Sequence, residues 1–233
     1  MRVAIDVPGD FGNHVVPLLP EPLMMQTLAT QLTFPDLVAA LDALRYGTRP
    51  RVDRDARHRF SDVDTVPARL RQLAPRSDEE WREELGRFFV DRRGERKINL
   101  MARAWEASCS GVMSRPETLL RLAINRAGLP DPVVGYTIEH LGWQQRPDLA
   151  WPEFAVLAEY EGDHHRTSQR QFRHDVTRFD QYLDAGWSPV RVLSPDLFRN
   201  PMSMLARLEH RLRRNGWEPP SRWALRGVGA FAR

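Results

Sequence analysis

Cysteine and lysine are nearly missing from this chain of 233 residues; each occurs once, as Cys109 and Lys97. A lone cysteine excludes an internal disulfide, so stability must come from an apolar core. It also removes the usual sulfur ligands of a structural zinc site. No stretch reaches the roughly eighteen consecutive apolar residues that a spanning helix needs, so no membrane partner is expected. The first residues, "MRVAIDVPGD", lack the apolar core of a secretory leader, which together with the single cysteine points to the cytoplasm. Internal repeats and low-complexity tracts are absent as well.

What is abundant is arginine, which makes up all but one of the 34 basic residues. Arginine suits bidentate contacts with phosphate, although an arginine-favouring genome produces the same bias without any function. The net formal charge is only +3. Residues 1–113 carry 17 basic and 17 acidic side chains and residues 114–233 carry 17 and 14, so the excess lies in the second half. An apolar content of 42% is enough for one sizeable domain or two small ones.

The first half reads as mostly helical and shows no recognisable chemistry. Helices are expected over 22–47, with Pro35 opening the second and Gly47 closing it. Residues 48–67 are polar and aperiodic and read as a long loop, with a short helix near 67–74. "SDEEWREELGRFFVDRRG" has Ser77 as N-cap, Glu80 three residues on and Gly94 as stop. A further amphipathic helix covers 97–108. From residue 114 the pattern changes to α-β-β-β-α-β-α. It comprises a helix over 114–130, a strand over 132–140, strands in "RPDLAW" and "AVLAEYEG", a helix over 167–187, a strand over 188–194 and helix over 195–216. We therefore divide the chain into a helical domain 1–113, an α/β domain 114–216 and a loose tail 217–233.

The informative passage is "RPDLAWPEFAVLAEYEGDHH", residues 146–165. An apolar strand ends in Glu159, Glu161, Asp163, His164 and His165, while Asp148 lies on the partner strand. Strand side chains alternate, so Glu159 and Glu161 share a face about 7 Å apart. Pairing Ala150 with Ala155 makes Glu159 a diagonal neighbour of Asp148. A turn one pair longer puts the two directly opposite. Either register sets like charges side by side, which is relieved by a raised pKa, by a bound cation or by arginine partners at a solvated strand end. Hard divalent ions such as Mg²⁺ take carboxylate oxygens, whereas zinc would favour more nitrogen and sulfur. Glu117 joins the list from "SRPE", where a helix capping box with Ser114 is the competing role.

The spacing "PD-x10-E-x-E" on a hairpin followed by a helix resembles the PD-(D/E)XK nuclease core. More closely, "SRPETLLRLAINRAGLP", "RPDLAWPEFAVLAEYEGDHHR", "RQFRHDVTRFDQYLDAGW" and "PVRVLSPDLF" resemble a bacterial, actinobacterial-type family of domains of unknown function related to the very-short-patch repair endonuclease. The similarity covers about 114–212. That family's strand ends as Glu-x-Asp-Gly-x-x-His, which falls here on Glu159, Glu161, Gly162 and His165. The usual lysine is absent and Glu161 stands in its place. Longer members begin with a winged-helix DNA reader, and none is expected ahead of residue 22.

The resemblance implies a restriction-endonuclease-like mixed sheet flanked by helices. It also implies a Mg²⁺-dependent nuclease, with Mn²⁺ able to substitute, acting on DNA in repair or in a defence or toxin system. Asp148, Glu159 and the Tyr160 carbonyl are then the metal ligands. Glu117 holds water or a second ion, and Glu161 or His165 orients the attacking water. Arg166, Arg170 and Arg173 are the phosphate contacts. Two alternatives stand beside this: an inactive copy of the fold that binds nucleic acid or a protein partner, and an effector held in check by a cognate protein.

Overall fold

The computed structural model describes residues 2–5, 14–17, 21–46, 77–162 and 169–231, with no side-chain description for 2–5, 14–17, 21, 46 and 169–176. The chain divides into two compact units, Met1–Ser110 and Gly111–Arg233. The expected loop over 48–67 and the short helix near 67–74 lie outside the described residues.

Among the described residues the first unit contains a hairpin, β1 (Arg2–Ile5) with β2 (His14–Pro17), and four helices. These are α1 (Glu21–Leu28), α2 (Phe34–Tyr46), α3 (Asp78–Asp91) and α4 (Ile98–Ala107). Their apolar stripes meet in a core that includes Met25, Leu37, Leu41, Trp81, Leu85 and Met101. The Ser77 capping box forms as its spacing predicts: Glu80 N–H donates to Ser77 Oγ and Ser77 N–H to Glu80 Oε2, at 3.2 and 2.6 Å. Arg45 is buried and ties three elements together. It donates to Asp78 at 3.0 Å and to the Ser108 carbonyl at 2.6 Å, and its guanidinium lies over the Trp105 ring.

The second unit is α/β. It opens with α5 (Arg115–Ala127), capped by Ser114 and stopped by Gly128. A four-stranded mixed sheet follows, in the order β3 (Val133–Val134), β6 (Leu149–Trp151), β7 (Val156–Glu161), β8 (Ser188–Leu193). The first three strands are antiparallel and β7–β8 is parallel. A parallel neighbour needs a crossover, supplied here by α6 (Gln169–Asp184). Beyond β8 come α7 (Ser194–Phe198) and α8 (Pro201–Arg214). One sheet face presents Leu149, Trp151, Val156, Ala158, Val190 and Val192 to α5, α7 and α8. On the opposite face Leu157 packs against Tyr182 of α6 and Ile138.

Three expectations change. The strand over 132–140 is two: β3 stays in the sheet, while β4 (Ile138–His140) pairs only with β5 (Trp143–Gln145) as a separate hairpin. The break falls at Gly135, whose φ of +70° turns the chain away. The single helix over 195–216 is split, because Pro201 has no N–H to continue it and Asn200 caps the second piece through Ser203 N–H. Residues 217–231, expected to be loose, pack on the core. Trp217, Trp223, Leu225 and Phe231 cover it, and Trp223 Nε1 donates to the Gly128 carbonyl at 2.7 Å. Prolines and glycines there interrupt any helical or strand period, which hides the apolar content from a pattern-based reading.

Candidate carboxylate site

The hairpin that carries the acids is β6–β7, joined by a single 3-10 turn at Pro152–Phe154. Its register pairs Leu149 with Ala158 and Ala150 with Leu157. This is the longer of the two expected turns, and continuing it sets Asp148 across from Glu159 on the α6 face. Asp148 lies just beyond the end of β6, where the N–H groups of β7 run out of strand partners. Its Oδ2 fills that place by accepting from Tyr160 N–H at 2.7 Å. An extended residue turns its N–H and C=O toward the same neighbour, so the Tyr160 carbonyl also faces the Asp148 side.

Glu159 is 2% exposed. A carboxylate that deep requires partners, and α6 provides two, one helical turn apart. Tyr182 Oη donates to Oε1 at 2.7 Å, and Arg178 Nη2 forms an ion pair with Oε2. Glu161, two residues on, pairs with Arg191 of β8 at 2.7 Å, and the Arg191 guanidinium stacks on Phe179 of α6. Both strand acids are thus matched by arginine.

Glu117 sits in the first turn of α5 and is half-buried. It accepts from Met113 N–H at 2.8 Å and from Ser114 Oγ at 2.9 Å, so the reach-back bond goes one residue beyond the expected cap. Burial pushes its carboxyl up to about 7, and the nearby Asp148 charge adds to the rise; the two hydrogen bonds and Arg146 pull against it. Arg146 donates to the Gly111 carbonyl at 3.1 Å. It occupies the space beside Gly135 where a Cβ would lie 2.2 Å from Nη2.

Asp148 therefore stands next to Glu159 in register and close enough to Glu117 to shift its ionisation. His165 and Arg166 lie outside the described residues, as does Asp163. Arg170 and Arg173 are on α6, with their side chains outside the description. Among the described residues no three His, Cys, Asp or Glu side chains form a group able to hold a metal ion. The donors that are present, two carboxylates and a strand carbonyl, are nonetheless the hard oxygens that Mg²⁺ takes. Arg146, Arg178, Tyr182 and Arg191 escaped sequence reasoning. The one available signal was an arginine four residues before a tyrosine on a helix stripe that also carries Phe179.

No protein-family profile matches the chain, and no solved structure does. Two curated relatives from Mycobacterium tuberculosis are distant homologues. One is the uncharacterized protein Rv2248 of strain ATCC 25618 / H37Rv; the other is the uncharacterized protein MT2308 of strain CDC 1551 / Oshkosh. Each is 27% identical over 191 residues, which is 82% of this chain. The chain spans 65% of the length of these relatives.

Proposed function

We propose that the Gly111–Arg233 unit is a restriction-endonuclease-like domain and that the protein is a metal-dependent endonuclease acting on DNA. The observation that carries this reading is the β6–β7 register. It sets Asp148 across from Glu159, with Tyr160 between Glu159 and Glu161, at the end of a strand crossed over by α6. That arrangement is the one the "PD-x10-E-x-E" spacing implies.

A bound Mg²⁺ or Mn²⁺ would neutralise charge on the phosphate and acidify the attacking water. Asp148, Glu159 and the Tyr160 carbonyl are the groups that would hold it. Glu117, whose carboxyl burial and the Asp148 charge push up to about 7, would exchange a proton with the attacking water. Glu161 stands where the lysine is missing and is ion-paired with Arg191. Arg146, seated against Gly135 and acting electrostatically on Glu117, is a cation that would meet a phosphate oxygen.

A second reading is favoured by one specific observation: Glu159 and Glu161 are both matched by arginine. A module that has lost catalysis and only binds nucleic acid would keep such pairs. Purified protein incubated with supercoiled plasmid and Mg²⁺ or Mn²⁺, with a chelator control, decides between them. The nuclease reading expects metal-dependent nicking or linearisation. Asp148→Ala should lower it by roughly a thousand-fold, the effect of losing several kcal/mol of transition-state stabilisation. If wild type and Asp148→Ala leave the plasmid alike, the binding module replaces the enzyme.

A further inference from the structure

The Glu159–Arg178 pair is incomplete as a structural ion pair. Arginine frequently engages a carboxylate with two parallel N–H···O bonds. Here Nη2 alone meets Glu159, and Nε is buried without a hydrogen-bond partner. The Arg178 side chain is still 28% exposed, against 2% for Glu159, so the guanidinium has a route toward water that the carboxylate lacks. Tyr182, one turn further along α6, holds the other oxygen and does not depend on Arg178. The carboxylate thus keeps its orientation if the arginine leaves.

We infer that Arg178 is an exchangeable counter-ion of Glu159. It neutralises Glu159 when no divalent cation is bound and would give way to one held by Glu159 and Asp148. The inference rests on the metal-site reading above. Two cations beside one carboxylate repel each other strongly in partly buried surroundings, so guanidinium and metal compete for Glu159. A buried carboxylate stripped of its arginine is left without a counter-charge. The divalent ion would then be the partner that Glu159 lacks. Neutralising Arg178 should therefore destabilise the metal-free protein and tighten metal binding together. A merely structural arginine gives the first effect without the second.

The test is calorimetric titration of the full chain with Mn²⁺. Arg178→Gln removes the charge but keeps an N–H donor for Glu159, and Arg178→Met removes both. Both variants should bind Mn²⁺ at least about tenfold more tightly than wild type. The gain should vanish in the double variant Glu159→Gln, Arg178→Gln. Equal or weaker binding in Arg178→Gln, a gain that survives in the double variant, or no Mn²⁺ binding by any variant overturns the inference. If both single variants are unfolded without metal, refolding by Mn²⁺ supports it and failure to refold overturns it. Plasmid cleavage is read separately. Tighter Mn²⁺ binding without cleavage keeps the Arg178 assignment and removes the nuclease. Cleavage with unchanged affinity does the reverse.

Discussion

Glu117 is the residue on which local environment and chemistry meet most directly. An exposed glutamate would be fully ionised at neutral pH. This one is raised from 4.5 to about 7, first by burial and then by the charge of Asp148. The sign of the consequence follows from proton linkage. Between the two values the native chain binds the Glu117 proton and the unfolded chain does not, so this group favours folding at low pH. Its contribution is fully present below about 4.5 and is lost as pH rises through about 7. The loss is on the order of 3 kcal/mol. Urea unfolding of wild type at several pH values should therefore show stability falling across that window relative to Glu117→Gln. The variant cannot ionise and keeps an acceptor for Met113 N–H. Parallel pH profiles for the two proteins would show that the site leaves Glu117 at its ordinary value.

At the scale of elements, the candidate site is a product of strand register and helix phase. The hairpin register sets Asp148 opposite Glu159, and the helical repeat of α6 brings Arg178 and Tyr182 to the same carboxylate. The first was legible in the sequence, because alternation puts Asp148 and Glu159 on one face under either turn length. The second was not, because an arginine facing a buried acid reads as part of a solvated stripe until the acid is known to be buried. Helix ends were legible where an N-cap marked them, as at Ser77 and Ser114. Gly135 as the break in strand 132–140 was not, since its role is set by an arginine eleven residues later. The closing segment was missed for the same kind of reason: Trp223 is fixed by a contact with Gly128, remote in sequence. That contact carries a prediction. Gly128 has φ +82°, and a Cβ there would lie 3.2 Å from Trp223 Nε1. Gly128→Ala should cost about 1–2 kcal/mol for the left-handed backbone alone, and more if Trp223 is displaced. Chemical denaturation gives the loss, and tryptophan fluorescence reports the displacement. A change below about 0.5 kcal/mol would mean that this helix end does not need glycine.

For the molecule as a whole, the question is how much of the chain the site requires. Every described partner of the site groups lies within Gly111–Arg233: Met113 and Ser114 for Glu117, Tyr160 for Asp148, Arg178 and Tyr182 for Glu159, Arg191 for Glu161 and Gly111 for Arg146. This unit also has its own core, in which α5, α7 and α8 cover one sheet face and residues 217–231 seal the edge of the cluster. Its length of about 120 residues is ample for independent burial. The first unit has a separate core around Leu37, Trp81 and Met101, a buried Arg45 linking Asp78 to Ser108, and none of the site acids. A fragment of residues 111–233 should therefore fold cooperatively. It should bind Mn²⁺ within about threefold of the full chain, a difference of less than about 1 kcal/mol. Circular dichroism with thermal melting tests the first statement and calorimetry the second. If the fragment folds but loses cleavage that the full chain performs, the helical unit contributes to substrate binding. If it folds but loses Mn²⁺ affinity, ligands from outside Gly111–Arg233 complete the site, and the assignment of Asp148 and Glu159 as its principal donors fails.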